Sequence, residues 1–206
     1  MNGATAGAAS AVEVGPSAGA VTGAALAEAA VEQVVLLDDD GTPIGTFDKA
    51  RVHGLDTPLH LAFSCYGFDT EGRMLLTRRA LAKRTWPGVW TNACCGHPQP
   101  GEDPSDAVAR RVRSELGVEP RDIRPVLPGF RYRAVDASGM VENEVCPVFF
   151  AELPTELAPD PDEVMSWAWV EPGEFLTTAE FAPFLLSPWS VLQAADFRRE
   201  GLLGAV

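Results

Sequence analysis

The chain is poor in positive charge. It has 16 Lys and Arg residues against 29 Asp and Glu residues, which gives a formal net charge of -13 at pH 7. Nucleic acids and anionic membrane surfaces bind basic patches, so this balance argues against nonspecific binding to either. The few cations are locally concentrated, because Arg78, Arg79, Lys83 and Arg84 fall within one short segment. Such a segment on an acidic protein indicates a small anionic ligand, and a solvated turn is the alternative.

Long apolar runs are also absent, so we expect no membrane insertion. The four cysteines, Cys65, Cys94, Cys95 and Cys146, contain no Cys-x-x-Cys pair and no pattern of a secreted disulfide framework. This usage argues against a zinc knuckle and indicates free thiols in a cytoplasmic protein. Residues 1–30 are rich in Ala and Gly and contain no Lys or Arg, so they lack the features of signal and transit peptides.

The length of 206 residues suits one substantial domain. We predict a flexible Ala/Gly-rich extension over residues 1–30, with a short helix at residues 24–30. A single domain is then expected over residues 31–206. Either a monomer or a homodimer is compatible with this sequence.

The apolar pattern predicts an α+β fold, in which a mixed β-sheet has helices packed against it in αβα layers. Strands are predicted at residues 33–38 and 44–47, 59–68 and 74–78, 130–135 and 141–152, and 165–170. The first six of these strands form three pairs that are separated by short polar turns. Helices are predicted at residues 172–177 and, after Ser187, at residues 188–199.

The strongest helix prediction follows a loop that contains two adjacent cysteines. Asp103 suits the N-cap, Pro104 suits the first helical position, and Gly117 suits the position after the helix end. Residues of this stretch match a Nudix box in register: Gly96, Glu102, Arg110, Val112, Glu115, Gly117 and Val118. Two acidic positions of the box are lost, to Arg111 and Ser114.

These losses change what the helix can bind. Glu115 alone could anchor one Mg²⁺ against a bound diphosphate, but it could hardly build a multi-metal hydrolytic centre. Arg111 lies four residues before Glu115, so both face the same side of the helix, and its guanidinium offers a bidentate phosphate donor. We therefore predict a site that holds a diphosphate without cleaving it. The alternative is a solvated Arg–Glu pair on an ordinary amphipathic helix.

A second group of residues indicates a metal. The three histidines, His53, His60 and His97, lie in the half of the chain before the helix, although scattered histidines are more often independent side chains. Glu142 and Glu144 stand at i and i+2, so they face the same side of a strand. If that side is buried, the carboxylates require charge compensation, which a divalent metal supplies. The alternative is an edge strand with both carboxylates facing water.

From about residue 32 to residue 192, the sequence resembles the type I isopentenyl-diphosphate isomerases. The matching segments are residues 59–64, 76–80, 86–92, 95–98, 130–134, 142–149 and 187–189. The resemblance implies a Nudix-like fold and the interconversion of isopentenyl and dimethylallyl diphosphate in isoprenoid biosynthesis, by antarafacial-type protonation and deprotonation. The Ala/Gly-rich N-terminus and the Ala93-Cys94 pair depart from the family pattern, and neither removes a polar group that the chemistry needs.

The resemblance also implies the cofactors and the binding residues. One Mn²⁺, Zn²⁺ or Mg²⁺ ion is expected at His53, His60, His97, Glu142 and Glu144. A second ion, Mg²⁺, is expected at Glu115, the carbonyl oxygen of Cys95 and the diphosphate. The family's diphosphate-binding positions correspond to Lys49, Arg79, Lys83 and Arg111.

The implied reaction requires an acid and a base on the two sides of an alkene. By the resemblance, Glu144 protonates the alkene, assisted by the metal and by a hydrogen bond from Tyr132, and Cys95 removes the allylic proton as a thiolate. Nearby cations must favour that thiolate, because a free thiol has a pKa of about 8.5. Trp189 matches the residue whose ring faces the carbocation, and a core anchor is the alternative for it.

Two other functions compete with this hypothesis. A Nudix-type hydrolase of a prenyl or nucleoside diphosphate is favoured by the retained box residues and disfavoured by Arg111 and Ser114. A non-catalytic metal- or ligand-binding module is disfavoured because Cys95, Tyr132 and Glu144 occur together.

Overall fold

The computed structural model describes residues 32–203. The predicted extension over residues 1–30, with its helix at residues 24–30, lies outside the described residues. The division of the chain at residue 31 therefore stays a prediction. No described helix is long and apolar enough to span a membrane.

Twelve strands and four α-helices make up the described part of the chain. The strands are β1 (Gln33–Leu37), β2 (Pro43–Asp48), β3 (His60–Leu61), β4 (Phe63–Phe68), β5 (Met74–Arg79), β6 (Trp90–Thr91), β7 (Cys94–Gly96), β8 (Arg121–Leu127), β9 (Arg131–Val135), β10 (Val141–Val145), β11 (Val148–Glu152) and β12 (Val164–Val170). The helices are α1 (Lys49–Val52), α2 (Pro104–Leu116), α3 (Pro172–Phe181) and α4 (Pro188–Glu200).

The strands form two mixed sheets. The first sheet has the order β2-β1-β3-β10-β9, and the second has the order β12-β5-β4-β11-β8, with β6 paired to β5 and β7 paired to β4. Parallel pairs occur at β3 with β10 and at β4 with β11, whereas the other pairs are antiparallel. The three predicted hairpins are confirmed as β1–β2, β4–β5 and β9–β10.

Two of the predicted strands were wrong in length, because each passes from one sheet to the other. The predicted strand 59–68 divides into β3 and β4, and the predicted strand 141–152 divides into β10 and β11. Pro147 lies in the second break and has no N–H to donate to a sheet. The two breaks lie beside each other, and the chain segments stay paired across them. Ala62 N donates to Val145 O (2.9 Å) and Ser64 N donates to Pro147 O (3.0 Å).

The layered arrangement is confirmed by the two apolar clusters that flank the second sheet. Alternate residues of β11 belong to opposite clusters, as expected for strand geometry. Phe149 and Ala151 lie in the cluster that contains Val112 and Leu116 of α2, whereas Phe150 lies in the cluster with Phe197 of α4. Helix α2 therefore covers one face of this sheet, and α3 and α4 cover the other.

Four elements were missing from the sequence-based prediction, and one was too short. Strand β8 is an edge strand that is mostly exposed, contains Pro125 and has Asp122 at φ +48°, so it lacks the apolar alternation of a buried strand. Helix α1 and strands β6 and β7 each have four residues or fewer, which is too short for a periodic signal. Helix α3 continues to Phe181 instead of ending at residue 177.

The predicted ends of α2 are confirmed. The Asp103 side chain accepts a hydrogen bond from Ser105 N (2.8 Å), Pro104 is the first helical residue, and Gly117 is left-handed at φ +68°. Gly201 ends α4 in nearly the same conformation, at φ +66°. The two glycines differ in their surroundings, because a Cβ at Gly117 would overlap the carbonyl oxygen of Ala158 and a Cβ at Gly201 would meet open space.

We predict that Gly117→Ala destabilises the protein far more than Gly201→Ala does. A left-handed alanine costs about 1 kcal/mol at either position, and the overlap with Ala158 raises the cost at Gly117 to about 3 kcal/mol. Urea unfolding followed by circular dichroism measures both free energies of unfolding. Equal losses in the two variants would contradict the packing of Gly117 against Ala158.

Candidate active site

Three histidines and a glutamate meet at one end of the first sheet. One ligand atom from each of His53, His60, His97 and Glu144 lies within 4.8 Å of the others. The imidazole centroids are 5.1 to 5.6 Å apart. The predicted fifth member, Glu142, contacts this group through its Oε2 atom, which lies 2.7 Å from His53 Nε2.

Sheet pairing brings these residues together. In the interior strand β10, Glu144 pairs with His60 of β3 on one side and with Tyr132 of the edge strand β9 on the other. His53 follows α1, and His97 follows β7. Glu142 and Glu144 are each only 6% exposed, so both carboxylates face the interior as predicted, and the edge-strand alternative is wrong.

The buried carboxylate of Glu144 is compensated by imidazoles. Burial alone would raise its pKa, but hydrogen bonds and charge interactions with His60 and His97 outweigh burial and hold the pKa of Glu144 well below its ordinary value. Burial lowers the pKa of His97 to about 4, so this ring is neutral near pH 7. Burial also opposes the charge on His60, but contacts with Glu144 leave the pKa of His60 raised.

The same residues leave buried polar atoms without partners. Among residues 32–203, the buried side-chain nitrogen and oxygen atoms that lack a hydrogen-bond partner are His53 Nε2, His60 Nε2, His97 Nδ1 and Glu142 Oε2. The first and last of these lie 2.7 Å apart but are not aligned as a hydrogen bond. His60 Nδ1 is 2.9 Å from the carbonyl oxygen of Pro58, a contact that places a proton on Nδ1 and makes Nε2 the nitrogen that could bind a metal. Orphaned imidazole nitrogens beside carboxylates fit a divalent metal, and the mixed N/O donor set suits a transition metal.

A cavity of about 240 Å³ opens beside the histidines. Its lining combines the predicted reacting groups, part of the metal cluster and a set of cations. The lining residues are Lys49, His53, Arg79, Lys83, Arg84, Thr85, Cys95, Gly96, His97, Arg111, Tyr132, Glu142, Glu144, Glu163 and Trp189. All four predicted diphosphate-binding residues and all four predicted catalytic residues therefore reach one cavity. His60 and Glu115 lie behind it, in contact with Glu144 and Arg111 respectively.

Cys95 lies on β7, where it pairs with Ser64 of β4. Its Sγ atom is 3.6 Å from Ser64 Oγ and 3.3 Å from both polar atoms of the Asn92 amide. Burial raises the pKa of the Cys95 thiol to about 12, although Ser64, Asn92 and Arg79 act in the opposite direction. Arg79 thus acts in the expected direction on the thiol, and desolvation is the larger effect among the described residues.

Trp189 and Tyr132 supply aromatic surface to the cavity. The two ring centroids are 5.8 Å apart, and the Arg79 guanidinium lies 5.6 Å from the centroid of Trp189. Trp189 is only 2% exposed and also packs edge-on against Trp86, so it is a core residue that nonetheless lines the cavity. The expected hydrogen bond from Tyr132 to Glu144 is not among the hydrogen bonds of residues 32–203, although the two residues pair across β9 and β10.

Three cations of the cavity are paired with carboxylates, namely Lys49, Lys83 and Arg111. Arg111 Nε donates to Glu115 Oε1 at 2.9 Å, which confirms that the two share a helix face. Arg111 also contacts Glu163 Oε1 at 3.3 Å, and Lys83 forms an ion pair with the other oxygen of Glu163. Burial lowers the pKa of Lys83 to about 8, against the opposing effect of Glu115.

The retained residues of the Nudix box have a structural role here. Arg110 donates to both carboxylate oxygens of Glu102, at 2.8 and 2.7 Å, and to the carbonyl oxygen of His97 at 3.2 Å. A Cβ at Gly96 would lie 2.8 Å from Arg111 Cγ, so a glycine is required where β7 passes the helix. The box residues thus fix the loop that carries His97 against α2.

Sequence reasoning missed Glu163 and Asn92. Glu163 precedes β12, far along the chain from the cations it contacts, and nothing in its local sequence indicates that contact. Asn92 is fully buried between β6 and β7, where it bonds both Cys95 and Trp189. Its place beside the Cys-Cys-Gly-His loop was the one available signal.

The chain has clear relatives. The NUDIX domain matches residues 58–189. The chain is 61% identical over 163 residues to an isopentenyl-diphosphate Delta-isomerase of Agromyces mediolanus, which covers 79% of each chain. It is 58% identical to that of Paenarthrobacter aurescens over 80% of this chain and 89% of the relative. It is 54% identical to that of Klebsiella pneumoniae over 80% and 90% respectively.

Solved structures have a similar fold. A protein of Deinococcus radiodurans gives a TM-score of 0.57 at 16% identity and covers 73% of this chain and 90% of that one. A MutT protein of Methanosarcina mazei gives a TM-score of 0.55 at 22% identity, with coverage of 72% and 99%. At these low sequence identities the likeness is one of fold, and it supports the predicted Nudix-like architecture.

We expect the metal-stripped protein to bind one Mn²⁺ or Zn²⁺ ion per chain when no diphosphate is present. His53→Ala and Glu142→Gln should each weaken this binding by about 10- to 100-fold or more, because each removes a ligand or the group that orients one. Isothermal titration calorimetry measures the affinity, and the exposed Glu156 supplies the control substitution Glu156→Gln. Unchanged stoichiometry and affinity in His53→Ala would contradict the five-residue site.

Proposed function

The chain belongs to the isopentenyl-diphosphate Delta-isomerases, a group within the NUDIX domain family, and we propose that it interconverts isopentenyl and dimethylallyl diphosphate. One observation carries the proposal beyond the family name. A thiol, a carboxylate and an aromatic face, from Cys95, Glu144 and Trp189, line the same cavity as a group of cations. The cations suit a diphosphate, and the other groups suit proton transfer at a hydrocarbon.

The diphosphate is bound by Lys49, Arg79, Lys83 and Arg111 in this proposal. Two of these side chains are held by neighbours, since Arg79 donates to the carbonyl oxygen of Thr85 and Arg111 is paired with Glu115. Such preorganised donors orient the substrate and reduce the entropy that is lost on binding. The hydrocarbon end of the substrate then lies against Cys95, Glu144 and Trp189.

Two proton transfers move the double bond. In the forward direction Glu144 gives a proton to the terminal alkene carbon, and Cys95 takes a different proton from the allylic carbon. The tertiary cation between these steps is stabilised by the Trp189 face, which contributes about 0.5 to 2 kcal/mol. In the reverse direction the two residues exchange roles.

The protonation states that Glu144 and Cys95 favour are those reached after a forward turnover. After a forward turnover Glu144 is a carboxylate and Cys95 is a thiol. The low pKa of Glu144 and the high pKa of Cys95 favour that same state. One proton must therefore pass from Cys95 to Glu144 by way of solvent before the next forward turnover. This return step also introduces solvent hydrogen into the product.

Divalent cations complete the site in this proposal. Mn²⁺, Zn²⁺ or Mg²⁺ at His53, His60, His97, Glu142 and Glu144 would supply positive charge beside the carboxylate. Mg²⁺ at Glu115 and the Cys95 carbonyl oxygen would neutralise part of the diphosphate charge. We further propose that the protein works in the cytoplasm, where Cys95 stays a free thiol.

A proton NMR assay in D₂O tests the proposed function. With isopentenyl diphosphate and Mg²⁺, we expect deuterium to appear in dimethylallyl diphosphate without release of phosphate. Cys95→Ala and Glu144→Gln should each lower kcat by about 10²- to 10⁴-fold, because each removes a proton-transfer group. Cys94→Ala is the matched control, since this neighbouring side chain belongs to the apolar cluster on the α2 face.

Phosphate release without isomerisation would support the hydrolase instead. Near-normal kcat in the Cys95 or Glu144 variant would refute the assignment of acid and base. Loss of activity in all three variants, including Cys94→Ala, would indicate general damage to the loop.

The lowered pKa of Lys83 predicts a pH dependence of kcat/KM. As the pH rises through about 8, the Lys83 ammonium loses its proton and binds the diphosphate less well, so this contribution falls about tenfold per pH unit above that point. Lys83→Arg keeps its charge and should not show this fall. The ratio of the two kcat/KM profiles isolates Lys83 from other titrating groups. A ratio that stays constant from pH 7 to pH 10 would exclude the effect.

A further inference from the structure

Asn92 lies between β6 and β7 with its side chain fully buried. Its amide contacts neighbouring residues and also residues that are distant in sequence, in β4 and α4. Its Nδ2 atom donates to the carbonyl oxygens of Cys65 (3.0 Å) and Cys94 (2.7 Å). Its Oδ1 atom accepts hydrogen bonds from Trp189 Nε1 (2.9 Å) and from Thr91 Oγ1 (2.8 Å). Both the nitrogen and the oxygen of the amide therefore form hydrogen bonds.

These partners fix the orientation of the amide. An indole N–H can only donate and a backbone carbonyl can only accept, so a flipped amide would face donors with its NH₂ group and acceptors with its oxygen. Both hydrogens of Asn92 Nδ2 are directed to carbonyl oxygens. Cys95 Sγ lies 3.3 Å from both Oδ1 and Nδ2, so its S–H can donate to the oxygen and its sulfur can accept from the nitrogen.

The oxygen is held in place by the start of α4. Ser187 N donates to the carbonyl oxygen of Trp90 at 2.8 Å, and Ser187 Oγ is 2.8 Å from Thr91 Oγ1. Ser190 Oγ lies 2.8 Å from Ser187 Oγ and 3.5 Å from Asn92 Oδ1. Helix α4 is thereby fixed to β6 at the turn that carries Trp189.

We propose that Asn92 is a positioning residue, which holds the Cys95 thiol and the Trp189 indole at a fixed spacing through a single amide oxygen. The inference rests on the proposed function. Cys95 and Trp189 are 94 positions apart in sequence and come from different layers of the fold, yet each forms a hydrogen bond to the same oxygen atom. A proton acceptor and the ring that faces the developing cation must keep their relative position, because a displacement of about 1 Å costs on the order of 10²-fold in rate.

The position of Asn92 predicts which kinetic constant it affects. None of its hydrogen bonds reaches Lys49, Lys83 or Arg111 among the described residues. Substrate affinity at the diphosphate should therefore change little when the amide is removed. The loss should fall on kcat.

The test compares Asn92→Ala with Gln193→Ala. Gln193 is a second fully buried amide, which bonds Ser64 Oγ (2.9 Å) and Tyr66 OH (2.7 Å) but neither Cys95 nor Trp189. Both variants lose a buried amide, so both should lose stability. We expect kcat of Asn92→Ala to fall about 10²-fold with KM within about threefold of wild type, and kcat of Gln193→Ala to fall less than about tenfold.

A double-mutant cycle with Trp189→Phe tests the linkage itself. Phenylalanine keeps an aromatic face but has no N–H for Asn92 to accept. We expect the fold-loss of kcat in Asn92→Ala/Trp189→Phe to be well below the product of the two single fold-losses, because both changes release the same contact. Fully multiplicative losses, or kcat of Asn92→Ala within threefold of wild type, would overturn the proposal.

Alkylation of Cys95 gives a readout that does not depend on turnover. Cys95 is the one cysteine of the four that is not fully buried, so iodoacetamide under native conditions reports on it. We expect the alkylation rate to change by about threefold or more in Asn92→Ala and to stay within about twofold in Gln193→Ala. An unchanged rate in Asn92→Ala would refute the proposed hold on the thiol.

This design separates failure of the proposed function from failure of the proposed role of Asn92. If the wild-type protein does not isomerise isopentenyl diphosphate, the proposed function fails, and the alkylation rates still decide whether Asn92 positions Cys95. If Asn92→Ala does not unfold cooperatively, Asn92→Ser, which keeps a small polar group, is measured by the same criteria.

Discussion

The charge of Glu144 in the interior of a sheet is the constraint on which the rest of the site depends. A carboxylate that is 6% exposed requires compensation, which comes from His60 in the adjacent strand and from His97 beyond β7. Those contacts require β3 to pair in parallel with β10, so that His60 lies beside Glu144. They also require α2 to hold the loop of His97, which the Glu102–Arg110 pair does. The pairing of two short strands thus determines where the chemistry can occur.

The segments β3–β4 and β10–β11 bend together between the two sheets, and this bend places the Glu144 carboxylate near the Cys95 thiol. Glu144 is the second-to-last residue of β10 in the first sheet, and Cys146 begins the passage to the second sheet. Ser64, just past the parallel bend, lies 3.4 Å from Cys146 Sγ and 3.6 Å from Cys95 Sγ. The two proposed proton-transfer groups therefore belong to different sheets and meet where these sheets join. A single flat sheet would point neighbouring residues to opposite faces and could not present both groups in this way.

Much of the fold and the site was predictable from local sequence. The hairpins, the capped helix α2 and the inward face of Glu142 and Glu144 each follow from spacing within a few residues. The meeting of His53, His60 and His97 depends on pairing between distant strands, so it came from the family resemblance and not from spacing. Pro147 was a visible signal that the predicted strand 141–152 breaks, because proline cannot donate within a central strand.

Other features depend on the surroundings of a residue and have no local signal. The protonated state of Cys95 follows from its burial, which outweighs the cations that the sequence did reveal. The contact of Glu163 with Lys83 and Arg111 joins residues that are 80 and 52 positions apart. The four hydrogen-bond donors around Asn92 Oδ1 likewise come from three separate segments.

Glu163 gives the cavity an anion of its own. Its two oxygens contact Lys83 and Arg111, two of the four cations that we propose for the diphosphate, so a diphosphate bound there would take the place of a carboxylate. The affinity is then a difference between two ionic interactions, which moderates it. The same exchange run backwards assists departure, because the carboxylate remains tethered nearby as the leaving product gives up its contacts. For an enzyme whose two substrates carry the same diphosphate, this competition would act equally on both and leave the ratio of their affinities unchanged.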